Sequence, residues 1–281
     1  MSATSPHAPA HTSEPAGRGG AGSASSDHSS LWNVALAIAW RGIHTYVRRP
    51  DLAIPSIIFP LIFLASFAGG LSALGAVFPF PAGYTAFQFV FVLMQAAMFS
   101  GLFTGFTLAA DFESGFARRL MLAAGNRRGI ALGYALVALT RAAITLTVVT
   151  GVALITGMRI TGDGTEIVVL YGLAALLVLV GFGWAAGVAF RFRSIQAGPL
   201  MQTPVFLILF LAPVFVPLAL LKGWIHAVAS VNPATAFLDA GRGLISGAQN
   251  HTALAYGCAL ALIALFTIWT LSGLRAAERS P

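Results

Sequence analysis

Apolar runs of helical length alternate with short polar connections along most of this chain. Six runs, at 54–75, 86–110, 130–156, 166–190, 198–221 and 253–273, each approach or exceed the roughly 20 residues needed to cross about 30 Å of hydrocarbon. The polar residues are clumped between the runs, which the scattered core positions of a soluble fold would not produce. Ahead of the first run, Leu36, Trp40, Ile43 and Val47 recur at helical spacing while Arg41, His44, Arg48 and Arg49 take other faces. That pattern suits an amphipathic helix in the headgroup layer, or equally a helix packed on protein. Residues 1–30 contain no Leu, Ile, Val or Phe. They are expected to form a disordered cytoplasmic tail, since they bury too little apolar surface to offset their ordering entropy. The expected architecture is all-α, with a polytopic domain of six transmembrane helices over 31–281.

Composition agrees. Of 281 residues, 57% are hydrophobic and 9% charged, against roughly 25% charged in a soluble domain. The net charge of +7 would suggest nucleic acid in a soluble protein. Here the accumulation of basic residues in cytoplasmic loops accounts for it, and no nucleic-acid partner is expected. Twelve basic residues fall on one side of the six runs: Arg18, Arg41, Arg48, Arg49, Arg118, Arg119, Arg127, Arg128, Arg191, Arg193, Arg275 and Arg279. Arg159, Lys222 and Arg242 fall on the other. Both termini are therefore expected in the cytoplasm. The lone Cys258 excludes an intramolecular disulfide.

Three segments stand out. The connection 111–129, DFESGFARRLMLAAGNRRG, has its acids first and its arginines later, which complements the dipole of a helix from Asp111 to about Ala124. Gly125 and Asn126 suit its end. The connection 222–252 is too apolar for a solvated loop. Trp224, Val228 and Val231 follow helical spacing, Asn232 is a good N-cap, Pro233 fits the first helical position and Gly247 suits the exit. Two half-helices dipping into the membrane from outside are expected there, with Asp239 and Arg242 placed to pair. Within the runs, Arg141 is costly in lipid and is expected to face protein or reach back to the cytosolic interface. Pro199, Pro204, Pro213 and Pro217 should bend or break the fifth run. The pairs Gly101/Gly105 and Gly183/Gly187 suit close helix contact.

There is no GxxxxGK[ST] phosphate loop, no HExxH and no GxSxG. A membrane enzyme of lipid metabolism and an ion-coupled carrier are both disfavoured, the first for want of a metal-binding carboxylate cluster, the second for want of buried acids.

The order and spacing of these features resemble the membrane permease subunits of type-2 ABC exporters, in particular the daunorubicin-resistance-like drug and lipid exporters. The likeness rests on the interfacial helix, on ESGFARRLMLAAGNRRGIALGYALVALTRA after the second run, and on NPATAFLDAGRGLISG before the last. It implies that 113–128 is a coupling helix docking on an ATPase subunit, with Glu113, Gly115, Arg118, Arg119, Leu120, Arg127 and Arg128 as its residues. It implies that Asn232, Pro233, Asp239, Arg242 and Gly243 belong to an outer re-entrant hairpin. Gly125 and Asn126 stand where the family often has proline. The resemblance also implies a multi-pass protein of the inner (plasma) membrane that binds no cofactor itself, with ATP and Mg on a separate ATP-binding subunit. A second permease copy, most simply in a homodimer, and membrane lipids complete the expected partners.

Overall fold

The fold was analysed in a computed structural model, in which the described residues are 22–48, 50–70, 73, 80–123, 126–248 and 251–279. Those residues are helical or in turns and include no β-strand. In chain order the helices are α1 (Gly22–Arg48), α2 (Pro50–Leu64), α3 (Tyr84–Glu113), α4 (Phe116–Ala123), α5 (Arg128–Ile155), α6 (Gly164–Phe192), α7 (Gly198–Phe210), α8 (Trp224–Val231), α9 (Pro233–Ser246) and α10 (Thr252–Arg279). Arg49, Gly125 and residues 1–21, which carry parts of the expectations above, lie outside the described residues. The start of α1 at Gly22 lies inside the stretch read as a tail.

Four helices, Tyr84–Glu113, Arg128–Ile155, Gly164–Phe192 and Thr252–Ala277, are long and apolar enough to cross a membrane. Two apolar helices, Ser56–Gly69 and Ile195–Phe210, are shorter. The first of these ends in one turn of π-helix, Ala65–Gly69. The expected fifth run is not one helix. Its helical part stops at Phe210, and a short 3-10 turn, Leu218–Leu220, follows. Pro213 and Pro217 cause the stop, since neither has an N–H to donate to the carbonyl four residues back.

α3 is the axis of the molecule and is buried along most of its length, whereas α10 lies at the edge. The closest packing is between α3 and α6, where glycines let the two backbones touch. A Cβ on Gly101 would collide with Val178 O, and one on Gly181 with Met98 O. One turn on, Gly105 packs against Ala185. The second expected glycine pair serves a different seam, because Gly183 and Gly187 receive Phe266 and Trp269 of α10. Trp269 stacks on Trp184 at 5.9 Å between ring centroids, and Thr270 donates to Gly183 O at 2.7 Å.

α1 packs on the protein along one face, the second of its two expected readings. Ala35, Ile38, Ala39 and Tyr46 are buried, chiefly against α5, where Gly133 and Val137 admit the helix closely. Leu36, Trp40 and Val47 point away from the protein, with Trp40 75% exposed. The helix thus has one stripe for the bundle and another, apolar, for whatever surrounds it. α6 begins with a reciprocal cap that the sequence reading passed over: Asp163 Oδ1 accepts from Glu166 N at 2.8 Å, and Glu166 Oε2 accepts from Asp163 N at 2.9 Å.

Candidate functional site

At the end of the bundle where α3 terminates, the chain turns sharply through Ser114 and Gly115 before α4 begins. Gly115 has φ +73°, a left-handed conformation that side chains other than glycine rarely adopt. The expected single helix from Asp111 is therefore two pieces. Asp111 and Glu113 close α3, and α4 is a separate eight-residue helix.

This relocation changes what the acids do. Asp111 sits at the negative end of α3, where the helix dipole disfavours a carboxylate. Arg41 of α1 offsets this by a two-pronged ion pair, Nη1 to Oδ2 at 3.0 Å and Nη2 to Oδ1 at 2.9 Å. Tyr134 of α5 donates its hydroxyl to Asp111 Oδ2 as well. The Arg41 guanidinium lies 3.6 Å from the centroid of Phe116, the first residue of α4. Four helices meet on this cluster. Glu113 Oε1 accepts from Ser194 Oγ at 2.6 Å and from Ile195 N at 2.9 Å, so it ties the end of α3, just before α4, to the connection between α6 and α7.

α4 buries Ala117 and Met121, one turn apart, and half-buries Leu120. Arg118, Arg119 and Leu122 face outward, Leu122 being 80% exposed. Arg127 Nε donates to Met121 O at 3.2 Å, near the helix end, and Arg128 is exposed. The end of α4 beyond Ala123 lies outside the described residues, and Asn126 is seen at the start of α5. Its Oδ1 accepts from Arg128 N at 3.1 Å and opens α5.

At the opposite end of α3, α8 and α9 form a helical hairpin with the expected caps. Asn232 closes α8 and opens α9, its Oδ1 accepting from Ala234 N at 2.9 Å, with Pro233 in the first turn. Gly247 leaves α9 at φ +75°. Its N–H and that of Ala248 both donate to Gly243 O. Asp239 and Arg242 do not form an ion pair. Arg242 is turned into the protein, donating from Nη1 to Pro213 O at 2.9 Å and from Nη2 to Val214 O at 3.0 Å, with its guanidinium 3.5 Å from the Phe87 ring centroid. The reason lies in the broken helix. Pro213 O would ordinarily accept from the N–H of residue 217, which is proline, so a buried carbonyl is left for Arg242. Asn232 Nδ2 similarly donates to Ile208 O, near the end of α7, at 2.7 Å. Asp239 stays half-buried, pointing elsewhere.

Arg141 faces protein, as expected. It is 7% exposed, donates from Nη1 to Thr107 Oγ1 at 3.3 Å, and lies 4.7 Å from the Tyr46 ring centroid. Among the described residues no group of three or more His, Cys, Asp or Glu is placed to hold a metal. A cavity of about 140 Å³ opens among α3, α6, α7, α9 and α10, lined by apolar side chains including Met98, Trp184, Val205, Phe237 and Phe266.

Sequence reasoning missed the Arg41–Asp111–Tyr134 cluster, the Glu113 tie and the clamp of Arg242 on the segment that follows α7. The missing N–H of Pro217 was the one readable signal for the clamp. Nothing local links Arg41 to an acid seventy positions away.

Residues 34–246 match the family of ABC-2 type transporters. The chain is also similar to a daunorubicin resistance ABC transporter permease protein of Streptomyces coeruleorubidus, 24% identical over 221 residues that cover 76% of each chain. With the family match spanning well over half of its length and an all-helical, strongly apolar fold beneath it, this multi-pass membrane protein belongs to the ABC-2 type transporter permeases.

Proposed function

We propose that the chain is the membrane subunit of an ATP-driven exporter, carrying a hydrophobic or amphipathic compound (a drug, a lipid or a secondary metabolite) out of the cytoplasm. A separate ATP-binding subunit holds ATP and Mg and hydrolyses the nucleotide. The observation that carries this reading is α4: a short helix on the most basic connection, with Arg118, Arg119 and Leu122 outward and its root tied to α1 through Arg41 and to the α6–α7 connection through Glu113. A push on such a helix reaches three parts of the bundle at once. Closure of the ATPase on nucleotide would then bias the permease between two states. The drug-resistance name of the similar Streptomyces protein supports the substrate class.

In this reading the chain crosses the inner (plasma) membrane six times, α2 and α7 making the two shorter crossings. Both termini lie in the cytoplasm, and α8–α9 is a re-entrant hairpin at the outer face. Two copies, most simply a homodimer, enclose the pathway.

Reconstitution decides the matter. Purified permease in proteoliposomes should move an amphipathic dye only with its ATP-binding subunit and ATP. Arg118→Glu with Arg119→Glu should cut that transport at least tenfold with little change in melting temperature, because exposed charges contribute little to stability. Transport by the lone chain at the full rate would overturn the reading in favour of an ion-coupled carrier.

A further inference from the structure

The cavity of about 140 Å³ among α3, α6, α7, α9 and α10 is lined by apolar groups alone and is open on one side. Trp184 spends its indole N–H on Met201 O at 2.9 Å, and the Ile208 carbonyl already accepts from Asn232 Nδ2 at 2.7 Å. Water entering there would find no partner. An apolar space of this size stays dry and takes apolar ligands, as a cavity of about 150 Å³ lined by Leu, Ile and Phe does with benzene or xenon.

The helices leave this space for identifiable reasons. Gly181 puts no side chain into it, because that glycine is where α6 meets Met98 of α3 at backbone distance. α7 and α10 both pack on α6 yet make no extended contact with one another, which leaves a gap over Gly181 and Trp184. Trp184 is the floor, toward the α4 end, and is held by its hydrogen bond and by stacking on Trp269. Pro233 and Phe237 of the hairpin are the roof.

The walls and the mouth differ in exposure. Met98, Val205 and Phe237 are at most 5% exposed. At the mouth, Leu262 and Phe266 of α10 are half-buried and Ile208 of α7 is 40% exposed. Their neighbours Leu207 and Leu265 point away from the protein. Leu262 and Phe266 lie in the middle third of α10, the outermost helix, so the mouth opens at the depth of hydrocarbon and far from any headgroup.

We propose that this cavity holds the terminal part of one acyl chain of a bilayer lipid, inserted between α7 and α10 and reaching under the α8–α9 hairpin. Hydrocarbon is what surrounds a mouth at that depth, so the chain enters sideways while its headgroup stays outside the protein. A polar compound gains nothing from walls that offer neither donor nor acceptor. Left empty, the lining would lose the dispersion contacts of one whole side. Binding therefore depends on the chain and is indifferent to the headgroup. The site goes beyond the exporter reading, and its test needs neither ATPase nor transport.

The permease, purified in a maltoside detergent, is loaded with dioleoyl phosphatidylcholine, dioleoyl phosphatidylglycerol or dihexanoyl phosphatidylcholine and followed by native mass spectrometry. One dioleoyl lipid per chain should survive the collision energy that strips the rest, equally for the two headgroups. The dihexanoyl lipid, too short to reach the cavity from headgroup depth, should be retained at least tenfold less. Leu262→Trp, which fills the mouth, should cut retention at least tenfold, whereas Leu265→Trp on the outward face of the same helix should leave it unchanged. A dioleoyl lipid carrying a diazirine at the chain end should place its adducts on residues of the cavity, Phe266 and Ile208 among them. A tenfold preference for either headgroup, equal retention of the short lipid, or unchanged retention in Leu262→Trp overturns the proposal. If Leu262→Trp lowers the fraction of dimer and leaves lipid retention as it was, the mouth belongs to a second copy of the chain and the lipid site falls. Should Leu262→Trp fail to fold, Ile208→Trp closes the mouth from the other side, and unchanged retention there is equally decisive against it.

Discussion

Arg242 shows how one side chain repairs a defect that prolines create. The carbonyls of Pro213 and Val214 are buried beyond the end of α7, and a guanidinium is well suited to them because it presents parallel donors. Arg242→Ala would leave two carbonyls unsatisfied, at a cost of about 2 kcal/mol, which corresponds to a fall in melting temperature of about 5 °C. Arg242→Lys should recover part of that loss, since an ammonium reaches one carbonyl more readily than two. Thermal unfolding of both variants in detergent measures the difference, and equal melting temperatures for Arg242→Ala and the parent would remove the clamp from the account. The sequence made Asp239 the natural partner of Arg242, because three residues on a helix is pairing distance. Burial decided otherwise: α9 turns Arg242 inward while Asp239 stays half-exposed. Asn232, Pro233 and Gly247 were legible because caps depend on local backbone geometry alone.

Between helices, glycine works by absence. Gly101→Leu would drive a side chain into the backbone of α6 and should cost about 3 kcal/mol or more, or prevent folding. Gly151 of α5 is a matched contrast, for a Cβ there meets nothing within 4 Å. Gly151→Ala should be neutral or raise stability by up to about 1 kcal/mol, from helix propensity. Paired thermal melts give the two signs, and a destabilised Gly151→Ala would show that α5 has a neighbour at that position. The glycine pairs could be read from spacing, though not which helix each would face. The division of 111–129 into a helix end and a separate α4 was hidden for a different reason. Its charges fit a continuous dipole-matched helix, and only the left-handed turn at Gly115, fixed by the packing of Phe116 under Arg41, breaks it.

Across the whole molecule, the two ends of α3 carry different equipment, with a basic surface around α4 at one and the α8–α9 hairpin at the other. The positive-inside rule leads one to expect the basic end in the cytoplasm. In a Cys258→Ser background, Thr161→Cys should react with an impermeant thiol reagent on intact cells, whereas Arg119→Cys should react only after permeabilisation. The opposite pattern would invert the protein in the membrane. Long apolar runs made the four helices long enough to cross readable to within a few residues at most ends. The fifth run was overestimated, because hydropathy continues past the point where proline stops the helix.

That stop has a consequence for the bilayer itself. Thirteen residues of α7 extend about 20 Å, some 10 Å less than the hydrocarbon of an ordinary membrane. On the proposed six-crossing topology, lipid next to α7 compresses or meets backbone that Asn232 and Arg242 keep supplied with donors. The four longer helices absorb a thicker membrane by tilting less, but α7 has no length to give. On that topology acyl-chain length acts at the short crossings, and at the broken end of α7 it turns the thickness of the surrounding membrane into a local mechanical load on the hairpin.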